Sequence, residues 1–121
     1  MEPTDNKKAV ILQKLRKMEE SVFSRAERYY SILSAVNDLK LTNREIQLVA
    51  FTAVKGNISY ANIRKEFCDA HNTTGPTINN IISKLKKVGL LVKDGTKVKV
   101  NPVIVLDFLK DITLEIKLTN G

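Results

Sequence analysis

The chain of 121 residues carries one cysteine and one histidine, and each scarcity excludes a chemistry. With Cys68 alone, no disulfide can close within the chain, and a cytoplasmic compartment is the expectation. Cys68 lies beside Phe67 in an expected helix with no evident base partner, so it reads as a structural thiol and not as a nucleophile. His71 is the only histidine, which removes the usual zinc-ligand spacings. Neither a nucleotide loop nor an obvious nucleophile–base pair is present, so the chain does not read as an enzyme. No metal or other cofactor is expected. There is no signal peptide and no long apolar run, so no membrane partner is expected.

What is present fits one domain with one modest core. Hydrophobic residues make up 43% of the chain, ordinary for a globular protein. The formal charge is +7, and its distribution matters more than its size. Residues 1–40 carry eight basic and six acidic side chains, residues 41–101 ten and four, and residues 102–121 two and three. The excess gathers at Lys84, Lys86, Lys87, Lys93, Lys97 and Lys99, offset there only by Asp94. Such a cluster attracts phosphates in a salt-dependent way. A solvated lysine face kept for solubility would show the same composition.

The chain divides into four stretches. Residues 1–6 are polar, contain Pro3, and are expected to be a disordered tail. Residues 7–37 read as a long helix without Gly or Pro, with Ile11, Leu15, Met18, Val22, Ala26, Tyr29, Leu33 and Val36 stepping by fours and threes. Leu15, Val22, Tyr29 and Val36 also recur every seventh residue, a heptad trace that Arg25 interrupts in its companion series. This helix packs along its own domain, or part of it forms a dimer interface through Leu15, Val22, Tyr29, Leu33 and Val36, and both readings can hold for different halves. Residues 41–102 contain three further helices and a hairpin. Residues 103–121 form an extension.

Local signals place these elements. Thr42-Asn43-Arg44-Glu45 is a capping box opening a helix to about Lys55, stopped by Gly56. Ile46, Val49, Ala50 and Ala53 make one apolar face; Leu48 and Phe51 make nearly the opposite one, so this helix should be buried on two sides. Ser59 can cap a third helix, about Tyr60 to Ala70. After the turn His71–Gly75, Thr74 or Gly75 caps a fourth, with Pro76 in its first turn and Ile78, Ile81, Ile82 and Leu85 as its apolar stripe. Gly89 ends it. Leu90, Leu91 and Val92 begin a strand, Asp94-Gly95 signals a tight turn, and Thr96–Val100 alternates as a returning strand. Asn101-Pro102 is another capping signal. Val103–Lys110 is expected to be a short helix, and the alternation of Ile112, Leu114, Ile116 and Leu118 predicts a strand.

The motifs LTNREIQLVAFTAV, TGPTINNIISKLKKVGLLVK and DGTKVKVNP carry a resemblance. The span Leu41–Pro102 resembles the winged helix-turn-helix superfamily of DNA-binding proteins. Threonine and asparagine before IISKLKKVGLL look like the recognition helix and first wing strand of MarR-like regulators. The closing KVKVNP looks like plasmid replication initiators. The resemblance implies a mainly α fold with a small β-hairpin, a three-helix core, and double-stranded DNA in the groove facing the recognition helix. The implied role is sequence-directed DNA binding, as a transcription regulator or replication factor. The alternative is a structural or assembly protein, virion-associated or scaffolding, that uses the fold for contacts with other proteins. Either role fits a homo-oligomer.

Helix geometry names the candidate DNA contacts. At about 100° per residue, the face opposite Ile78, Ile81, Ile82 and Leu85 holds Asn80, Ser83 and Lys87, flanked by Thr77, Asn79 and Lys84. Asparagine suits adenine, and lysine suits guanine acceptors or phosphate. Thr73 and Thr74 lie near the helix start, where hydroxyls and free amides meet phosphates. Lys93, Lys97 and Lys99 belong to the hairpin and would meet the backbone or minor groove.

Overall fold

The structure is a computed structural model that describes residues 22–115 and residue 117. It is mainly helical, with one small antiparallel hairpin. Helix α1 is helical throughout the described stretch 22–36. Then come α2 (Asn43–Lys55), α3 (Ala61–His71), α4 (Gly75–Lys87), β1 (Leu91–Asp94) and β2 (Lys97–Val100), and a 3-10 turn at Pro102–Ile104. Leu15 of the expected heptad lies outside the described residues.

Helix α2 sits at the centre because it is apolar nearly all round. Its capping box forms as the sequence predicts: the Thr42 side chain accepts the Glu45 amide, and the Glu45 carboxylate accepts the Thr42 amide. Leu48, Val49, Ala50, Phe51 and Thr52 are all buried. The Thr52 hydroxyl avoids a polar orphan by donating to the Leu48 carbonyl at 2.7 Å. Phe51 stacks on Phe23 of α1, with ring centroids 5.7 Å apart, and meets Phe67 of α3 edge-on at 5.3 Å. Ile78, Ile82 and Leu85 of α4 close the same core, with Leu91, Val98 and Val100 of the hairpin. Burying each such side chain contributes roughly 1.5–3 kcal/mol.

Three helix ends use left-handed residues: Gly56 and Gly89, as the sequence leads one to expect, and Asn72. Gly89, at φ 81°, follows α4. Its amide donates to the Lys86 carbonyl at 3.1 Å and the Leu90 amide to the Leu85 carbonyl at 3.0 Å. That pairing is the Schellman motif, with buried Leu85 and Leu90 as its apolar partners. Helix α3 ends on Asn72 at φ 51°, and the Thr73 amide donates to the Cys68 carbonyl. The hairpin loop is Gly95-Thr96, one residue later than the expected Asp94-Gly95, because Asp94 still pairs with Lys97. Gly95 takes φ 62° at the first loop position.

Ser59 does not cap α3. The N-cap is Tyr60, with no side-chain capping bond. The Ser59 hydroxyl instead accepts the Val98 amide at 2.6 Å, while the Ile58 amide donates to the Val98 carbonyl at 2.9 Å. The stretch before α3 is thereby tied to the outer edge of β2.

The C-terminal extension departs most from expectation. In place of a helix over 103–110 there is one 3-10 turn, begun by Asn101, whose side chain accepts the Val103 amide. The β-branched run Val103-Ile104-Val105 does not propagate it. No strand occurs over 112–115 or at 117. The segment is instead a strap laid across α1. Phe108 is buried between Tyr29 and Tyr30, each ring centroid 5.7 Å away. The Tyr30 hydroxyl donates to the Ile104 carbonyl at 2.8 Å. Arg25 donates to the carbonyls of Phe108 and Lys110 at 3.1 and 3.2 Å. Side chains of α1 thus satisfy carbonyls of the strap that no helix or strand ladder satisfies there.

The strap and α2 also claim most of the apolar stripe on α1. Val22, Tyr29 and Leu33 are half-buried against the core, whereas Val36 is 56% exposed.

Candidate nucleic-acid interface

Helix α4 is amphipathic in the way its spacing predicts. Ile78, Ile82 and Leu85 are buried, and Thr77, Asn79, Asn80, Ser83, Lys84, Lys86 and Lys87 are exposed. Asn80, Ser83 and Lys87 recur at three- and four-residue steps and form one solvent-facing stripe. Their side chains make no hydrogen bond or ion pair among the described residues, and neither does that of Lys93. The turn at Gly89 leads from this helix directly into the hairpin, where Lys93 and Lys97 are exposed and Lys99 is half-buried.

Other candidates already have partners. The Lys84 ammonium bonds both oxygens of the Glu45 carboxylate, at 3.0 and 2.8 Å, fastening α4 to the start of α2. Lys99 pairs with Asp94 across the hairpin at 2.6 Å. That hydrogen bond, with the lysine's charge, lowers the Asp94 pKa from its ordinary value. Lys97 lies over the exposed Tyr60 ring, 5.6 Å from its centroid. Asn79 accepts a hydrogen bond from Arg64 at 2.7 Å. Thr74 is the N-cap of α4 without capping it through its side chain; its hydroxyl lies 3.1 Å from that of Thr77. Thr73 is half-buried, and its amide is spent on the α3 terminus.

The turn before α4 is braced from below. Arg44 of α2 donates to the His71 carbonyl. The His71 ring packs on Phe67 at 4.5 Å. Burial, with the Arg44 charge nearby, lowers its pKa from the ordinary value, so the ring is neutral at pH 7. Its role is packing.

Three residues that sequence spacing does not pick out shape this surface. Glu45 reads only as a capping residue, Tyr60 as an ordinary aromatic, and Arg64 as one charge among many. Their partners lie 39, 37 and 15 residues away in sequence, so only the folded chain brings them together.

Among the described residues no cluster of three histidine, cysteine, aspartate or glutamate side chains could hold a metal ion. No helix among them is long and apolar enough to cross a membrane. Compared with family models, curated proteins and solved structures, the chain matches none.

Proposed function

We propose that the chain binds double-stranded DNA as a winged helix-turn-helix, with α4 in the major groove and the β1–β2 hairpin as the wing. The observation that carries this reading is the stripe Asn80, Ser83 and Lys87, polar or cationic and unpartnered among the described residues, on a helix joined to a lysine-bearing hairpin. Such a surface offers what a duplex requires: donors and acceptors for base edges, and cations for phosphates. The element order supports it, since α2, α3 and α4 precede the hairpin and the stretch before α3 pairs with β2. The role served would be transcription regulation or replication.

Titration of a labelled duplex at several salt concentrations tests the proposal. Each phosphate contact contributes about 0.9 to the slope of log K against log salt. Changing Lys87, Lys93 and Lys97 to alanine together should weaken binding to all duplexes and flatten the slope by up to about 2.7. An unchanged slope would remove the helix end and wing from the interface.

A second reading, an assembly or scaffold module, draws on the strap, where Val103 is 86% and Leu109 68% exposed. Ile32 and Val36 on α1 are likewise exposed and would suit contact between copies. Sedimentation of the full chain with and without duplex separates the two. Oligomers that ignore duplex favour assembly; a duplex-bound species favours the first reading.

A further inference from the structure

Asn79 and Arg64 form a pair whose chemistry has a direction. Arg64 sits in α3, half-buried, and its Nε donates to the Ile58 carbonyl at 2.9 Å. One anchor therefore fixes the guanidinium on the segment that also pairs with the hairpin. Its Nη1 then donates to Asn79 Oδ1 at 2.7 Å. A guanidinium has five donors and no acceptor. The amide atom facing it must be the oxygen, so the asparagine cannot flip without facing donor to donor. Asn79 is exposed on α4, and its free end is the NH2 group.

We infer that Arg64 turns Asn79 into a donor-only reader, so that the helix selects guanine where Asn79 meets the major groove. This rests on the duplex-binding reading above. An unconstrained asparagine favours adenine, because it gives one hydrogen bond to N7 and accepts one from N6. Asn79 Oδ1 engages one of its two lone pairs with Arg64, and the guanidinium's positive charge and bulk beside it disfavour a second donor such as adenine N6. Guanine offers two acceptors, O6 and N7, to the remaining NH2 group. Adenine sets an amino group beside N7, and cytosine offers an amino donor; both place donor against donor, while thymine offers the single acceptor O4 where guanine offers two. Asn80 has no such partner among the described residues and keeps both halves of its amide. The two neighbouring asparagines therefore have different preferences, one for guanine and one for adenine. Arg64 is a positioning residue in this scheme, acting through Asn79.

Selection of bound sequences from a random duplex pool, run on the full chain and its variants, tests the inference. The unchanged protein should enrich a motif with one position favouring guanine over adenine about fivefold or more. Arg64→Ala frees the amide to rotate, and adenine should rise at that position alone. Asn79→Asp keeps an acceptor toward Arg64 but replaces the NH2 group with oxygen; guanine should be lost there in favour of cytosine. Asn79 is on the surface, so this second variant keeps the test valid even if Arg64→Ala unfolds. A motif that neither variant alters at any single position overturns the inference and leaves duplex binding standing. Absence of any duplex binding by the unchanged protein overturns both.

Discussion

Replacing Glu45 should loosen two connections at once. The side chain is nearly buried, with the residue 6% exposed. It accepts the Thr42 amide at 2.7 Å and pairs with Lys84 at 2.8 Å. Breaking a capping interaction costs about 1 kcal/mol. The Lys84 side chain is 48% exposed, so water can take the carboxylate's place, and that pair adds at most about 1 kcal/mol. Glu45→Ala should therefore cost about 1–2 kcal/mol, lowering Tm by about 4 °C per kcal/mol. Glu45→Gln keeps an acceptor for Thr42 and loses the charge, so its cost should be less than half as large. Burial alone would raise the Glu45 pKa. Bonds from Lys84 and the Thr42 amide, with the Lys84 charge, outweigh burial and hold it below its ordinary 4.5. The folded state thus favours the ionised form. Its contribution is present above 4.5 and is lost as the pH falls through the lower folded value. Urea unfolding followed by circular dichroism, at neutral and acid pH, reads both effects. A Glu45→Ala protein within about 0.5 kcal/mol of the original, the scale of ordinary surface changes, would refute the reasoning. So would a gap between the original and Glu45→Gln that does not shrink in acid.

Two further substitutions test the packing. Phe108→Ala removes the ring that seats the strap between Tyr29 and Tyr30, and should cost about 3–5 kcal/mol; a loss below about 1.5 kcal/mol in the same unfolding assay would mean the strap is not part of the cooperative core. Gly89→Ala places a Cβ where, beyond its immediate chain neighbours, no atom lies within 4 Å, so its cost is only that of φ 81°, about 1–2 kcal/mol. An unchanged midpoint would show that the α4 terminus does not need the left-handed conformation.

Much of this architecture is legible because its signals are local. The capping box at Thr42–Glu45, the stripe of α4 and the glycine after it each involve residues within one or two turns of each other. The strap is not legible that way. Alternation at Ile112 and Leu114 reads as a strand, yet a strand needs an edge to pair with; α1 instead holds the stretch just before it, through Arg25 and Tyr30 on the carbonyls of Phe108, Lys110 and Ile104. The candidate interface divides along the same line. Asn80, Ser83 and Lys87 follow from periodicity alone. The diversion of Lys84 to Glu45, of Lys99 to Asp94 and of Asn79 to Arg64 follows only from three-dimensional neighbours. Spacing says which side chains face outward, and not which of them already have a partner.

The most direct test of the central claim is a nuclear magnetic resonance titration of the isotopically labelled chain with a short duplex, following backbone amides and the side-chain amides of Asn79 and Asn80. Shifts should concentrate on Thr77, Asn79, Asn80, Ser83 and Lys87 of α4 and on Lys93 and Lys97 of the hairpin, while α1 and the strap stay unmoved. Shifts confined to α1 or the strap, or none as duplex is added to excess, would contradict that claim.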